Sequence, residues 1–86
     1  MTLKIYQLPI ESDRIFRGYE EGKVNLDEYK LVYTGETDTW KLDDIYYRFQ
    51  FPVDGFKGHS LSVSDIVELN GTKHYVDTIG YVKLAD

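Results

Sequence analysis

Apolar and polar residues alternate near the start of the chain, and this period of two predicts a β-strand. Leu3 and Ile5 fall on one face, whereas the residues between and after them are polar or amphipathic. Pro9 follows, and it lacks the backbone N–H that a continuing strand would donate. We therefore predict a half-buried first strand over residues 3–8 that ends at the proline.

The pattern becomes less regular over the next twenty residues. Residues 12–17 begin with Ser12, which can cap free N–H groups, and end before Gly18, so we predict a helical turn there. Residues 18–28 mix glycines and acids without a sustained period, which indicates a connection. We expect Val24 and Leu26 to hold this connection against the rest of the domain.

A second strand is predicted over residues 29–34, because this run is rich in β-branched and aromatic residues and ends at Gly35. A strictly alternating strand places every second side chain on the same face. Tyr29, Leu31 and Tyr33 are therefore expected on one face of the sheet.

The period then changes from two to about 3.6, which predicts an amphipathic helix over residues 40–49. The apolar stripe consists of Leu42, Ile45, Tyr46 and Phe49. Thr39 precedes the stripe and is a suitable N-cap residue, and Pro52 lies beyond its end. We expect one helix whose apolar side covers a sheet.

Asn70 and Gly71 predict a β-hairpin near the end of the chain. Both residue types tolerate the positive φ of a type I′ turn, so residues 66–69 should pair with residues 72–77. Gly80 separates a last strand over residues 81–84. The whole pattern predicts a single α+β domain spanning residues 1–86, mainly an antiparallel sheet covered by one helix. Curling of the sheet into a small open barrel is an alternative.

Composition indicates the cellular location in which such a domain would work. The chain has no cysteine, which removes disulfides and thiolate zinc sites and favours a reducing, cytoplasmic location. No stretch approaches the roughly 20 apolar residues that span a bilayer, so no membrane partner is expected. Thirteen aromatic residues, eight of them tyrosine, are mostly assigned to the core.

An excess of acidic residues bears on the class of partner. Fifteen acidic and ten basic residues give a net charge of −5, and such a field repels phosphate backbones. Nucleic-acid binding is therefore disfavoured, although Tyr47 with Arg48 keeps it as an alternative. Acids in the first half are candidates for a protein-binding surface, namely Glu20, Glu21, Glu36 and Asp38. An ordinary solvated surface is the simpler explanation of these acids.

Two histidines and two aspartates form the grouping with the best potential for metal binding or acid–base chemistry. They are His59, His74, Asp65 and Asp77. Their spacing matches no metal motif. In a strand, His74 and Asp77 would point to opposite faces of the sheet, so these two residues are not expected to form a pair. We predict no metal, no cofactor and no catalytic residue. A loop closed by Ser62, Ser64 and Asp65 is the simpler interpretation, and a small His/Asp-dependent enzyme remains an alternative.

Tyr47 and the loop Gly58, His59 and Ser60 are the polar or aromatic groups that the apolar period explains least. Recognition residues often lie on loops that a rigid scaffold carries. We therefore predict a protein-binding surface that combines Tyr47 with this loop, with His59 presenting an exposed imidazole.

Several stretches of the chain resemble the YodL-like domain family. They are LKIYQL at residues 3–8, YKLVYTG at 29–35, LDDIYYRF at 42–49, GHSLSVSDIV at 58–67 and YVDTIGY at 75–81. The resemblance spans nearly the whole chain, and residues 58–67 are its most specific part. It implies a domain carried by mobile elements of low-GC Gram-positive bacteria, and it assigns no catalytic residues.

The resemblance and the local chemistry together lead to one functional expectation. The chain is expected to be a non-enzymatic protein-binding accessory module of a phage, plasmid or conjugative transposon. Its expected partner is a host defence nuclease, which would make it an anti-CRISPR or antirestriction inhibitor, or a conjugation factor. Binding to nucleic acid and a small enzyme are the two alternatives.

Overall fold

Five strands and one α-helix form the regular structure of the computed structural model, which describes residues 1–85. In chain order they are β1 (Thr2–Gln7), β2 (Lys30–Glu36), α1 (Leu42–Arg48), β3 (Ile66–Leu69), β4 (Thr72–Val76) and β5 (Tyr81–Lys83). A short 3-10 helix, Leu26–Glu28, lies between β1 and β2. No helix within residues 1–85 has the length and apolar character needed to cross a membrane.

All five strands belong to one antiparallel sheet with the order β2-β1-β3-β4-β5. The first strand of the chain therefore lies inside the sheet, between β2 and β3. The sheet is open, because β2 and β5 form its two edges and do not pair with each other. This arrangement confirms the predicted α+β sheet, and the barrel alternative is wrong.

The main core lies between one face of the sheet and α1. Leu3 and Ile5 on β1 pair with Leu69 and Val67 on β3, so these four side chains share a face. From α1 and the residue after it, Ile45 and Phe49 pack onto this face, and all members of the cluster are buried. The predicted apolar stripe therefore does cover the sheet.

The helix is shorter than predicted and begins differently. It starts at Leu42, and Lys41 is the N-cap residue without a side-chain cap. Thr39 lies two residues before the N-cap residue. Its Oγ1 accepts a hydrogen bond from the Lys41 N–H at 3.1 Å and donates one to Asp44 Oδ2 at 3.2 Å. The prediction of Thr39 as the N-cap is thus wrong, because its hydroxyl closes a turn before the helix.

A layer of irregular chain covers part of the opposite face of the sheet, so that every residue of β3 is buried. Aromatic side chains attach this layer. The rings of Tyr19 and Tyr75 pack edge to face, with their centroids 5.5 Å apart. The Tyr75 hydroxyl donates to the Arg17 carbonyl at 2.7 Å. The Tyr29 hydroxyl donates to the Ser64 carbonyl at 2.6 Å. Three layers, and not two, therefore make up the domain.

Of the two expectations for this layer, the turn is confirmed and the anchoring by Leu26 is wrong. Residues 12–17 form hydrogen-bonded turns in which Ser12 Oγ accepts from the Arg14 N–H at 3.2 Å, and Phe16, with a φ of 63°, does not continue them as an α-helix. Leu26 is exposed and does not hold the connection in place. The tyrosines do so instead, because their hydroxyls reach backbone carbonyls while their rings stay packed.

A β-bulge in β2 changes the faces predicted for that strand. Ile5 pairs with Tyr33, but its neighbour Tyr6 pairs with Leu31, so Val32 is an extra residue. Tyr33 consequently faces the core, whereas Leu31 lies on the opposite side and is exposed. The prediction that Tyr29, Leu31 and Tyr33 share one face is wrong for this reason.

The hairpin between β3 and β4 has the predicted turn. Leu69 pairs with Thr72, and the two residues between them, Asn70 and Gly71, have φ values of 48° and 87°. Both values lie in the left-handed region that a type I′ turn requires. The predicted two-residue hairpin is confirmed.

Replacing Gly71 by valine is expected to lower the free energy of unfolding by about 1–2 kcal/mol, the cost of a left-handed backbone for an L-residue. A Cβ at this position would meet no other atom within 4 Å, so the loss reports backbone conformation alone. Urea denaturation measures it. Thr72→Val is the matched control, since it places valine in the adjacent strand, and an equal loss in both variants would contradict the prediction.

Candidate functional site

A buried polar cluster joins the end of β1 to the loop that precedes β3. Gln7 is 3% exposed, and its amide nitrogen donates to the His59 carbonyl at 2.8 Å and to Asp65 Oδ2 at 3.0 Å. Gln7 shares the face of Leu3 and Ile5, so a polar residue stands where the alternation calls for an apolar one. Its two N–H groups thus fasten the loop to the sheet.

Gly58 is required by the close approach of this loop to β1. A Cβ on Gly58 would collide with the amide oxygen of Gln7. That oxygen cannot easily move away, because the same amide group is held by His59 and Asp65. The predicted candidate Gly58 therefore has a structural reason to be glycine.

Asp65 is the most deeply buried charged residue of the cluster. Its Oδ2 atom accepts from the Ser62 N–H at 2.7 Å as well as from Gln7, while Oδ1 is buried without a hydrogen-bond partner within residues 1–85. Burial raises the pKa of the Asp65 carboxyl to about 7, although the Ser62 N–H, His59 and Gln7 oppose the shift. The Ser62–Asp65 contact confirms the predicted loop closure for these two residues, whereas the Ser64 hydroxyl accepts from the distant Phe16 N–H.

His59 lies against the cluster and not fully on the surface. Its Nδ1 is 2.8 Å from the Ser60 carbonyl, which can only accept, so Nδ1 carries a proton. Nε2 is buried without a partner in the described part of the chain, and the ring meets Phe16 edge on at 5.5 Å. The expectation of an exposed imidazole is therefore wrong for Nε2.

Two residues beside the cluster adopt left-handed backbone conformations that are uncommon outside glycine. Phe16 and Ser64 have φ values of 63° and 86°, and the Phe16 N–H donates to Ser64 Oγ at 2.9 Å. Ser64 is also completely buried. Backbone strain is thus concentrated where the N-terminal layer meets the loop.

The other histidine and aspartate of the predicted grouping lie elsewhere. His74 is on β4, with Nδ1 3.3 Å from the Val67 carbonyl. Asp77 accepts from the Tyr19 and Thr78 N–H groups, which lower the pKa of its carboxyl. The four residues do not form one site, and residues 1–85 contain no group of three or more histidine or acidic residues arranged to hold a metal ion.

The structure brings Tyr47 and the loop together through a residue that the sequence did not single out. Tyr47 is 68% exposed and its ring lies 5.3 Å from that of Phe51, which is 53% exposed. Phe51 in turn forms one wall of a groove of about 280 Å³. This groove is lined by Gln50, Phe51, Pro52, Val53, Phe56, Gly58 and Ser60. We call Tyr47, Phe51, Gly58 and Ser60 the helix–loop surface.

Gln50 holds the two parts of the helix–loop surface at a fixed distance. Its amide nitrogen donates to the Leu61 carbonyl at 2.7 Å and to the Tyr46 carbonyl at 3.0 Å. The Leu61 N–H also donates to the Phe49 carbonyl at 3.2 Å. The end of the helix and the end of the loop are therefore tied together.

The four acidic candidates do not form a single patch. Glu36 pairs with Thr2 at the start of β1, and Asp38 follows it. Glu20 and Glu21 follow Tyr19, which contacts Tyr75 near the other end of the sheet. Glu20 is also neutralised by an ion pair with Arg14 at 2.7 Å. Glu36 and Asp38 therefore have to be considered apart from Glu20 and Glu21.

Comparison with known proteins identifies the family of the chain. The family model described as YodL-like domain matches residues 2–86. No curated protein and no solved structure gave a match. The match covers essentially the whole sequence, including Gln7, His59 and Asp65, and the chain therefore belongs to the YodL-like domain family.

Proposed function

We propose that this domain is a non-enzymatic protein-binding module that docks on its partner through the helix–loop surface. The observation that carries the proposal is the pair of neighbouring, exposed rings of Tyr47 and Phe51 beside a groove. Aromatic residues are enriched at the energetic centres of protein interfaces. Burial in the domain's own core does not account for either ring.

The rigidity of the helix–loop surface supports this proposal. Gln50 fixes Leu61 to the helix end, and Gln7 fixes His59 on the other side of the loop. A surface that is already ordered loses little conformational freedom when it binds. The groove wall formed by Gly58 and Ser60 is thus suited to recognition without rearrangement.

The positions of the acid–base groups also favour binding over catalysis. Asp65 is fully buried and bonded to Ser62 and Gln7, and His59 donates to a backbone carbonyl. Both side chains are used to fasten the loop that borders the groove. A catalytic pair would need a nucleophile or substrate within hydrogen-bonding reach.

The class of partner is inferred from the family and from charge. The resemblance implies a mobile element of Gram-positive bacteria, which supports a host defence nuclease or a conjugation factor as the partner. The net charge of −5 favours a basic protein surface over a nucleic acid. We therefore propose an accessory module acting in the cytoplasm, with inhibition of a defence nuclease, as in an anti-CRISPR or antirestriction protein, as its role.

Capture of the partner from a Gram-positive host lysate, followed by affinity measurement with the purified partner, tests the proposal. Tyr47→Ala and Phe51→Ala are each expected to weaken binding by more than about 1 kcal/mol, or roughly fivefold, because exposed aromatic anchors are lost. The melting temperature should change little. Ile79→Ala is the control, since Ile79 is 91% exposed in the turn before β5.

Two results would contradict the proposal. Binding of both aromatic variants with wild-type affinity would remove the helix–loop surface from the interface. A loss of binding that follows a loss of folded protein would assign the two rings a structural role only.

A further inference from the structure

The single tryptophan lies at the other end of α1 and is also exposed. Trp40 is 70% exposed and forms one wall of a groove of about 580 Å³, a volume within the usual range of ligand sites. The rest of the lining is Lys41, Leu42, Asp43, Asp44, His74 and Tyr81. None of these residues lines the groove of the helix–loop surface, so the two surfaces are separate.

Two carboxylates in this groove are held in place but not neutralised. The Tyr81 hydroxyl donates to Asp43 Oδ1 at 2.7 Å, and Thr39 Oγ1 donates to Asp44 Oδ2 at 3.2 Å. Each contact occupies one oxygen of the carboxylate. Within residues 1–85, neither carboxylate forms an ion pair. Both are therefore positioned to accept hydrogen bonds from a cation.

The charge around Trp40 favours a positive ligand. Residues 36–44 contain four acidic residues and one lysine, which is a net charge of −3 (−4 + 1), and the Met1 ammonium, which donates to the Thr37 carbonyl at 2.9 Å, brings the total to −2 (−3 + 1). Lys41 is the lysine in the lining of the groove. Glu36 and Asp38, both exposed, add negative charge to the strand end next to Trp40.

We propose that this groove binds an arginine side chain presented by a protein partner. A guanidinium group stacks well on an indole ring and forms paired hydrogen bonds with carboxylates. The methylene groups of arginine would lie along Leu42 and Tyr81, which form the apolar wall. An apolar side chain would form no hydrogen bond with either carboxylate, and lysine would not provide a planar stacking group.

Trp40 itself reports the binding, because it is the only tryptophan in the 86-residue sequence. The probe is a blocked pentapeptide, glycine-serine-arginine-serine-glycine, titrated into the full chain at low salt. The indole N–H resonance and the fluorescence of Trp40 should shift and reach saturation as the peptide is added. The same peptide with alanine at the centre should cause no saturable shift, and the lysine peptide should bind at least threefold more weakly.

Charge-neutral variants test the role of the carboxylates. Asp43→Asn and Asp44→Asn keep an oxygen that can accept from Tyr81 or Thr39, and each should weaken arginine-peptide binding at least threefold. Asp54→Asn, in an exposed loop, is the matched control and should bind normally. Tyr47→Ala should also bind normally, which separates this result from a failure of the helix–loop surface.

Any of several outcomes would overturn the inference. They are no saturable shift with the arginine peptide, an equal shift with the alanine peptide, and wild-type binding by both asparagine variants. A shift of the indole signal with protein concentration alone would show that a second copy of the chain occupies the groove instead.

Discussion

Replacement of Phe49 by alanine is expected to lower the free energy of unfolding by about 3–5 kcal/mol. Phe49 is completely buried. Its ring packs edge to face against the rings of Tyr33 and Phe56, with centroid distances of 4.9 and 5.0 Å. The substitution removes the transfer energy of the ring and leaves a cavity between α1 and the sheet. Native stabilities begin at about 5 kcal/mol, so the variant should be close to unfolding at 25 °C.

Phe51→Ala is the matched control for this prediction, because the same substitution is made two residues away at an exposed ring. It should change the urea midpoint little. Phe49→Leu keeps much of the apolar volume and should lose less stability than Phe49→Ala, so the effect can be measured even if the alanine variant does not fold. Similar midpoints for Phe49→Ala and Phe51→Ala would contradict the packing described for α1.

Raising the pH from 5 to 8 is expected to destabilise the domain through Asp65. Burial raises the pKa of this carboxyl to about 7 in the folded state, against 3.8 for an aspartate that is not buried, as in the unfolded chain. The folded protein therefore holds a proton that the unfolded chain has already released, and this contribution is lost as the pH rises through 7. Two pH units at about 1.4 kcal/mol each give a loss on the order of 2–3 kcal/mol.

The Asp65→Asn variant tests the source of this pH dependence. Asparagine has an oxygen for the Gln7 and Ser62 donors and no titrating proton, so stability should become nearly constant between pH 5 and 8. The variant should also be more stable than the wild type at pH 8. Urea denaturation at a series of pH values measures both effects.

Asp77→Asn is the control, because the pKa of Asp77 is lowered and its contribution is lost only as the pH falls well below 5. The slope between pH 5 and 8 should therefore persist in that variant. A wild-type stability that stays constant or rises over this range would show that Asp65 is ionised in the folded protein. Persistence of the slope in Asp65→Asn would assign it to another group.

Elements determined by local signals were predictable from the sequence. The apolar stripe of α1 requires only the helical period, and the turn at Asn70 and Gly71 requires only two residues that tolerate positive φ. In both cases the residues that define the element are neighbours in the chain. Tertiary contacts altered the start of the helix by two residues and left its packing face unchanged.

Features that depend on distant partners were not predictable from the same pattern. The bulge at Val32 exists only relative to β1, so β2 read alone appears to alternate regularly. The layer of residues 9–29 attaches through single tyrosine contacts that have no period. Gln7 did leave a signal, since it is a polar residue at an apolar position of a strand, but its partners His59 and Asp65 lie more than fifty residues away.

The position of β1 inside the sheet has a consequence for how the chain folds. Leu3 pairs with Leu69, so β1 can complete its pairing with β3 only after β2 and α1 have been synthesised. Closing such a loop costs entropy before the contact compensates for it, and folding rates fall as contacts become less local. During synthesis, the edge of β1 that pairs with β3 therefore stays open until β3 is made. Charged residues in and after β1, such as Lys4, Glu11 and Asp13, oppose pairing of this open edge with other chains until β3 is made.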